Sequence, residues 1–589
     1  MRIVPSRFLK VAGLIPVLLL GVPNAFGQGC DHHDFDTPEA REHARRPVFW
    51  RHPDFRLDRT ERIRLLAFND FHGQVGTGKF VSGRPVGSAP VLAAYFKAAA
   101  ESLPERTFLV HAGDHVGASP PNSALLQDEP SVSFLNLMGN KFCSERWREN
   151  PFCNVVGATG NHEFDEGKDE LLRLIYGGNS PKGPFLENPW RGSNYPMVCA
   201  NVFLAGTDKT LFPAYNIKIV KGIPVAFIGA VLKATPTIVT PTGVAGLDFR
   251  DETESINKQA ARLRALGVRA MVVLIHQGGS EPSYAGDTRD TAHANFGDLQ
   301  PILDNLSDDI DVVVSGHTHQ FTNAFAKNKK GHTMLVTQSF SSGTAFGQID
   351  LDLDRRSGDV VGMSGQIITT WADQGPGLTP DPKARDLMDS ANARVAPLVN
   401  RIVGTAAHDI LQAQNPAGES SLGDLIADAQ RSAVNADLGF MNPGGIRADL
   451  FAGNITWGAL FTIQPFNNDV VKMKLTGAQV YTLLNQQWVG QTFPKMLQIS
   501  GLSYTWDDAL PVGSKVVEVR RAGIPIGMPD VFTVACNSFM AAGGDNFLVL
   551  KDGTERVVGP VDLETLVDFI SNHAQPIDYA VEGRAVRLH

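Results

Sequence analysis

The 589-residue chain has no later apolar run long enough to cross a bilayer, no C-x-x-C pair, no positive charge excess and no internal repeat. Each absence excludes something. A membrane-spanning helix needs about 20 consecutive apolar residues, and the apolar stretch Val11–Val22 is shorter. Without C-x-x-C, a thiolate metal site has no support. Lys and Arg number 53 against 62 Asp and Glu, giving a formal charge of −9. An acidic chain has no general electrostatic reason to hold long nucleic acid, so any nucleotide chemistry would have to use a local positive site. No low-complexity tract argues for disorder.

What is present is an ordinary globular composition, 43% hydrophobic and 20% charged, in a chain too long for one hydrophobic core. Two or more domains are expected. The N-terminus reads as a processing segment. Arg2, Arg7 and Lys10 precede Val11–Val22, and Ala25-Phe26-Gly27 offers small residues for cleavage near Gly27–Gln28. Loss of residues 1–27 removes three positive charges and no acid, which takes the formal charge from −9 to −12. An uncleaved anchor is the alternative. The expected destination is export, to a periplasm or the medium, with no transmembrane segment in the mature chain. Cys30 is not preceded by an apolar lipobox. Residues 28–60 read as a polar arm, and its His32-His33 pair reads as solvated.

An exported chain with five cysteines invites disulfide pairing. Cys143 and Cys153 bracket the polar loop "CSERWRENPFC" and form the best candidate pair. Cys199 and Cys536 sit in apolar runs and read as small core residues.

From about residue 62, short β-branched runs ("IRLLAF", "TFLV", "NVVGA", "AMVVLI", "DVVVS") alternate with helix-like segments such as 89–103 and 253–266. Strands buried on both faces and separated by helices predict an α/β architecture. "GQIDLDLD" and "VGMSGQIITTW" predict a hairpin across "RRSGD". The expected organisation is a first domain over 61–371, a linker helix over 372–400 and a second domain over 401–589.

Each of the five runs ends in metal-binding chemistry. The ends carry Asp70 and His72; Asp114; Asn161 and His162; His276; and His317 and His319. Ligands collect at the carboxyl ends of strands in α/β sheets, so these groups can converge in one crevice. Imidazole, carboxylate and an Asn oxygen suit two divalent cations such as Zn²⁺, Mn²⁺ or Co²⁺. Any one of these residues alone reads better as a turn or a hydrogen-bonded core group. Five strand ends agreeing in order do not. His111, His115 and His293 lack such support and read as structural, and Glu163 and Glu166 as solvent-facing.

In the order D-x-H, G-D, G-N-H-E, H and G-H-x-H, these motifs resemble the calcineurin-like metallophosphoesterases. The fuller forms "NDFHG", "GNHEFD" and "GHTH" resemble the 5′-nucleotidase branch over about 62–345. The resemblance implies a four-layer αββα sandwich with two metals. Asp70, His72 and His319 would hold one; Asn161, His276 and His317 the other; Asp114 would bridge. His162 would approach the scissile phosphate, oriented by Asp165. Two cations ~3.5–4 Å apart can grip phosphate oxygens and acidify a water.

The second half offers "ESSLGDLIADAQ", "GFMNPGGIRADL", "TIQPFNNDVV" and "NSFMAAGGDNFLVL". Singly weak, together they resemble the substrate-binding domain of 5′-nucleotidases. That resemblance implies Phe466 and Phe547 sandwiching a base, Arg447 gripping phosphate or carboxylate-like oxygens, and Asn442 beside the nucleoside. The chain departs from the family pattern at "QAQNPAGESSLG", where many relatives carry arginines, and at "GGDNF" and "PFNN". The family also implies a domain swing, with the hinge near 380–400. The expected activity is release of phosphate from nucleoside 5′-monophosphates, with di- and triphosphates or nucleotide sugars as further substrates. A 2′,3′-cyclic-nucleotide phosphodiesterase with 3′-nucleotidase activity is the near alternative. A non-catalytic binding protein on the same scaffold is the distant one.

Overall fold

All five apolar runs are strands. The structure is a computed structural model that describes residues 59–589, except Thr77, Pro184, Ala292 and Thr492, together with the short strand Trp50–Arg51. The expected signal segment, the His32-His33 pair and Cys30 lie outside the described residues.

Two seven-stranded sheets form the first half. In one, the order is Trp50–Arg51, Val360–Thr369, Ala345–Asp354, Thr60–Phe68, Thr107–Ala112, Val155–Ala158, Met197–Val198. In the other it is Arg289–Asp290, Phe321–Lys327, Thr333–Ser339, Val312–Val314, Ala270–His276, Ile223–Val231, Tyr215–Val220. The motif-bearing strands pair in parallel, with Leu65 opposite Phe108, Leu109 opposite Val155, and Val272 opposite Val312. Parallel neighbours bring their carboxyl ends to the same edge. The predicted hairpin is present as Ala345–Asp354 paired antiparallel with Val360–Thr369.

The sheets pack face to face. Ile63, Leu65, Val110 and Val156 of one meet Val225, Phe227, Val272 and Val314 of the other in a fully buried layer. Helix Ala89–Ala100 joins a second apolar layer on the outer face of the first sheet. Glu252–Ala265 covers the outer face of the second through Ile256, Ala260 and Leu263. The result is four layers, helix–sheet–sheet–helix, which explains why the strands carry apolar residues on both faces. Among the described residues no helix is long and apolar enough to cross a membrane.

Helix Pro382–Val399 starts at Asp381, whose carboxylate accepts the Ala384 N–H, with Pro382 in the first turn where a missing N–H costs nothing. It packs on Ala89–Ala100 and Glu129–Met138 of the first half and on Trp457–Ile463 of the second. The second half has a five-stranded sheet in the order Gln498–Ser500, Leu438–Met441, Val531–Asn537, Asp469–Thr476, Thr554–Val561, and a four-stranded sheet nearby. Cys143 and Cys153 are joined by a disulfide, and Cys199 and Cys536 are free and buried.

Candidate metal centre and the cleft beside it

The strand ends meet at one place. Asp70 Oδ1 lies 3.2 Å from His319 Nε2 and 3.9 Å from His72 Nε2. Asp114 Oδ2 lies 3.0 Å from His276 Nε2 and 3.8 Å from His72 Nε2, between the two. Asn161 Oδ1 is 3.1 Å from His276 Nε2. His317 is held at the same edge by its N–H, which donates to Asp70, and its ring centroid is 5.2 Å from that of His276. Its imidazole is not among the ring nitrogens that converge most tightly with the carboxylates.

The donor chemistry fits cations. His72 Nδ1 bonds the Gly117 carbonyl at 2.9 Å, and His276 Nδ1 the Ala112 carbonyl at 2.8 Å. Each Nδ1 must then carry the proton, which leaves the Nε2 lone pair turned inward. Two imidazole nitrogens, His72 Nε2 and His319 Nε2, face each other at 3.2 Å among buried carboxylates. Such an array has lone pairs in excess of protons, the demand that a divalent cation satisfies.

The electrostatics show the same demand for positive charge, with a proton on His276 Nε2 standing where a cation would otherwise meet Asp114. Burial alone would raise the Asp70 carboxyl, but His319 and His276 outweigh it and lower it to about 2. Burial would lower His276, yet Asp114 and Asp70 raise it to about 10. Burial pushes His317 down to about 3 and holds His72 well below its ordinary value.

The backbone is bent to make this set. Asp70, His72, Asp114, His317 and His319 all have φ between 48° and 75°. A left-handed backbone costs a non-glycine residue roughly 1–2 kcal/mol, so five such residues in one cluster mark a functional constraint. The loops also touch at backbone distance. A Cβ on Gly160 would stand 2.1 Å from Asp114 Oδ1, and one on Gly113 would stand 2.5 Å from Gly160 N. Only glycine permits these approaches.

Glu163, expected at the surface, is instead buried with 4% exposure. Its Oε1 accepts the His115 N–H at 2.8 Å and its Oε2 the Asp114 N–H at 2.9 Å and the Gly160 N–H. One carboxylate thus ties the Asp114 loop to the loop before Asn161. The reason is local. After Asn161 the chain makes the 3₁₀ turn His162–Phe164, which turns Glu163 inward while His162 faces the cleft. The motif G-N-H-E itself was the available signal.

His162 Nδ1 lies 2.7 Å from Asp165 Oδ2, and its backbone N–H donates to Asp114 Oδ1 at 2.9 Å. Burial would lower this imidazole, but Asp165 and Asp114 prevail and raise it. The second half approaches here. The Phe466 ring stacks on His162 with centroids 5.8 Å apart and 18° between planes. The Arg447 guanidinium lies 5.9 Å from the Phe466 ring. Burial lowers Arg447 below its ordinary value, opposed by Asp114, Asp165, Asp70 and Asp545.

The pattern of the calcineurin-like phosphoesterases matches residues 63–321, and that of the 5′-nucleotidase C-terminal domain matches 402–552. "Cell wall protein Lmo0130" of Listeria monocytogenes is 34% identical over 574 residues, 90% of this chain and 69% of that protein. This chain belongs to the 5′-nucleotidase family. "Endonuclease YhcR" of Bacillus subtilis is 35% identical over 532 residues, 89% of this chain, and the chain spans 40% of that protein's length. A 5′-nucleotidase precursor from Thermus thermophilus shares the fold with a TM-score of 0.73 and 26% identity, covering 90% of this chain and 99% of its own. The chain is an enzyme of the metallophosphoesterase type, similar to 5′-nucleotidases.

Two pocket residues expected of a 5′-nucleotidase stand differently here. Phe547 has 0% exposure and belongs to the apolar core with Met540, Val549 and Leu550. The turn before it passes through left-handed Asp545 and Asn546 and directs the ring inward, so no face is left for a base. Asn442 is 3% exposed; its Nδ2 donates to Asp545 Oδ2 at 2.7 Å and its Oδ1 accepts from Asn537 Nδ2 at 2.9 Å. It holds the pocket wall instead of facing a ligand. A different aromatic, Phe539, is partly exposed and lies against Gly544. Ser538, beside it at the start of the short helix Ser538–Ala541, donates to Asn468 Oδ1 at 3.1 Å, two residues after Phe466.

Proposed function

We propose that the protein is an exported, metal-dependent phosphohydrolase that releases phosphate from nucleoside 5′-monophosphates. The observation that carries this reading is the position of His162. Its ring faces the converged ligand set on one side and Phe466, with Arg447 beyond, on the other. A phosphate ester placed there would have its phosphoryl group at the ligand set and its organic part toward the second half.

Two divalent cations held by Asp70, His72, His319, Asp114, Asn161, His276 and His317 would polarise the phosphoryl oxygens and acidify a water. The chain's own groups do the rest. His162, whose pKa Asp165 and Asp114 raise against the effect of burial, would donate to the charge growing on the phosphoryl or leaving oxygen. Arg447 would offer its planar fork to the same group. Phe466 and Phe539, the partly exposed aromatics, would present π-faces to a base, each worth roughly 1–3 kcal/mol. Export is supported by the N-terminal sequence and by similarity to a cell wall protein.

A second reading is hydrolysis of 2′,3′-cyclic nucleotides and 3′-monophosphates, favoured by the 35% identity to a relative named as an endonuclease. The test is to strip the mature protein of metal and follow phosphate release from 5′-AMP, 3′-AMP and 2′,3′-cyclic AMP as Mn²⁺, Zn²⁺ or Co²⁺ is restored. Metal-dependent turnover favouring 5′-AMP is expected. Preference for the 3′ or cyclic substrate would overturn the pocket reading and leave the metal centre. Metal binding without turnover of any of the three would overturn the nucleotidase reading.

A further inference from the structure

The segment Gln412–Gly418, which precedes Glu419, contains no Arg or Lys. It packs against another segment that does carry a cation. Gln414 Nε2 donates to the Met496 carbonyl at 3.1 Å, Gln498 Nε2 donates to the Gly418 carbonyl at 2.8 Å, and a Cβ on Gly418 would stand 2.7 Å from the Met496 side chain. The residue before Met496 is Lys495. Its ammonium reaches Asp545 Oδ1 at 2.6 Å, and the side chain is only 17% exposed.

Asp545 belongs to the substrate side of the molecule. Its Oδ2 accepts from Asn442, on the loop that leads to Arg447. It follows Gly544, on which Phe539 rests. The turn Gly544–Asn546 packs against the turn Thr235–Thr237 of the first half, so it lies along the boundary between the halves. An ammonium has three donors. Here one goes to Asp545 Oδ1, and no second hydrogen bond from Lys495 Nζ is present among the described residues. A mostly buried cation with donors to spare, joined through Asp545 to the Asn442 loop and to the turn that Phe539 touches, can contact a ligand.

We propose that Lys495 is a specificity-determining residue that donates to oxygens on the nucleoside end of the substrate, in the part of the pocket where Gln412–Gly418 supplies no positive charge. The inference rests on the nucleotide reading above. Lys495 and Asp545 then form a donor–acceptor pair, Lys495 giving hydrogen bonds and Asp545 receiving them, and Asn442 holds Asp545 in place from behind. The scissile phosphate stays with His162 and Arg447.

The test compares 5′-AMP with p-nitrophenyl phosphate, a small ester that lacks the nucleoside. For Lys495→Met, the KM for 5′-AMP is expected to rise about tenfold or more relative to that for p-nitrophenyl phosphate, the loss typical of a charged hydrogen bond, with little change in either kcat. Lys495→Arg should recover part of the difference. If the Met variant does not fold, Lys495→Gln, which keeps a neutral partner for Asp545, carries the same comparison. A 5′-AMP KM that does not move, or KM and kcat falling in parallel for both substrates, overturns the proposal alone. A wild type that hydrolyses p-nitrophenyl phosphate but no nucleotide overturns the nucleotide reading and this inference with it.

Discussion

The two halves of the molecule use charged residues differently. At the sheet edge of the first half, five candidate ligand residues sit in left-handed backbone, and the loops that carry them touch at distances only glycine allows. Buried acids there brace one another's loops, as Glu163 does for Asp114, His115 and Gly160. In the second half left-handed residues also occur, at Asn467, Asp545 and Asn546, but most of the cleft's chemistry, at Arg447, Phe466, Phe539 and Lys495, is carried by side chains on right-handed or extended backbone. Positioning metals leaves the backbone little choice. Positioning an organic ligand can be done by exchanging side chains.

The largest effect expected from this contrast is at the metal edge. Asp114→Ala, which removes the carboxylate between His72 and His276, should lower phosphate release by roughly 10³-fold or more, the scale of losing a two-metal clamp. His162→Ala should cost roughly 10²–10⁴-fold in kcat, the range for a general acid. Either variant retaining most of its turnover of any phosphate ester would break the site assignment.

Next comes a test that separates core from pocket. Phe547→Ala should destabilise the fold by about 3–5 kcal/mol through a cavity in the second core, seen as a lower Tm. Phe466→Ala and Phe539→Ala should instead raise the KM for 5′-AMP with a small change in Tm. The opposite pattern would restore Phe547 as a stacking residue.

Glu163→Gln sharpens the claim that the metal edge is braced from behind. The amide keeps one acceptor and turns an N–H toward the backbone donors. Metal affinity, measured by titration and metal analysis, is expected to fall about 10–100-fold, typical for losing the support behind a ligand. Unchanged affinity with a lowered Tm would make Glu163 a stability residue only.

The smallest effect lies in the second half, at Asp424. This carboxyl is fully buried beside Glu419, and burial pushes it up to about 8 although Arg584, 3.7 Å away, opposes the shift. A folded-state pKa above the unfolded one means the folded chain binds an extra proton between about pH 4 and 8. Stability from this residue is therefore full below the unfolded value and is lost as pH rises toward 8. Asp424→Asn, a neutral isostere, should flatten that slope and raise stability at pH 8 by roughly 1–3 kcal/mol, the cost of an unsatisfied buried group. An unaltered pH profile of Tm would refute this.

Much of the first half was legible because the signals are local. β-branched runs bounded by turn residues identify strands, and a metal ligand must be His, Asp, Asn or a close substitute wherever it falls. Glu163 was not legible as a brace. An acidic residue in a polar loop looks the same whether it faces water or three backbone N–H groups. The burial of Phe547 was not legible for a related reason: an aromatic after "GGDN" has the same sequence context whether its ring turns to the pocket or to the core, and here it follows a left-handed turn at Asp545 and Asn546 and packs in the core.

By itself the sequence determined the chemistry available: candidate ligands at five strand ends, a histidine with a carboxylate three residues on, and a net acidic chain. The tertiary structure decided which groups meet. It turned Glu163 inward, stacked Phe466 on His162, withdrew Phe547 and Asn442, and brought Lys495 to Asp545 from 50 residues away in sequence. The physical reason is that residue type sets what an atom can donate, accept or coordinate, whereas direction and distance come from packing over hundreds of residues.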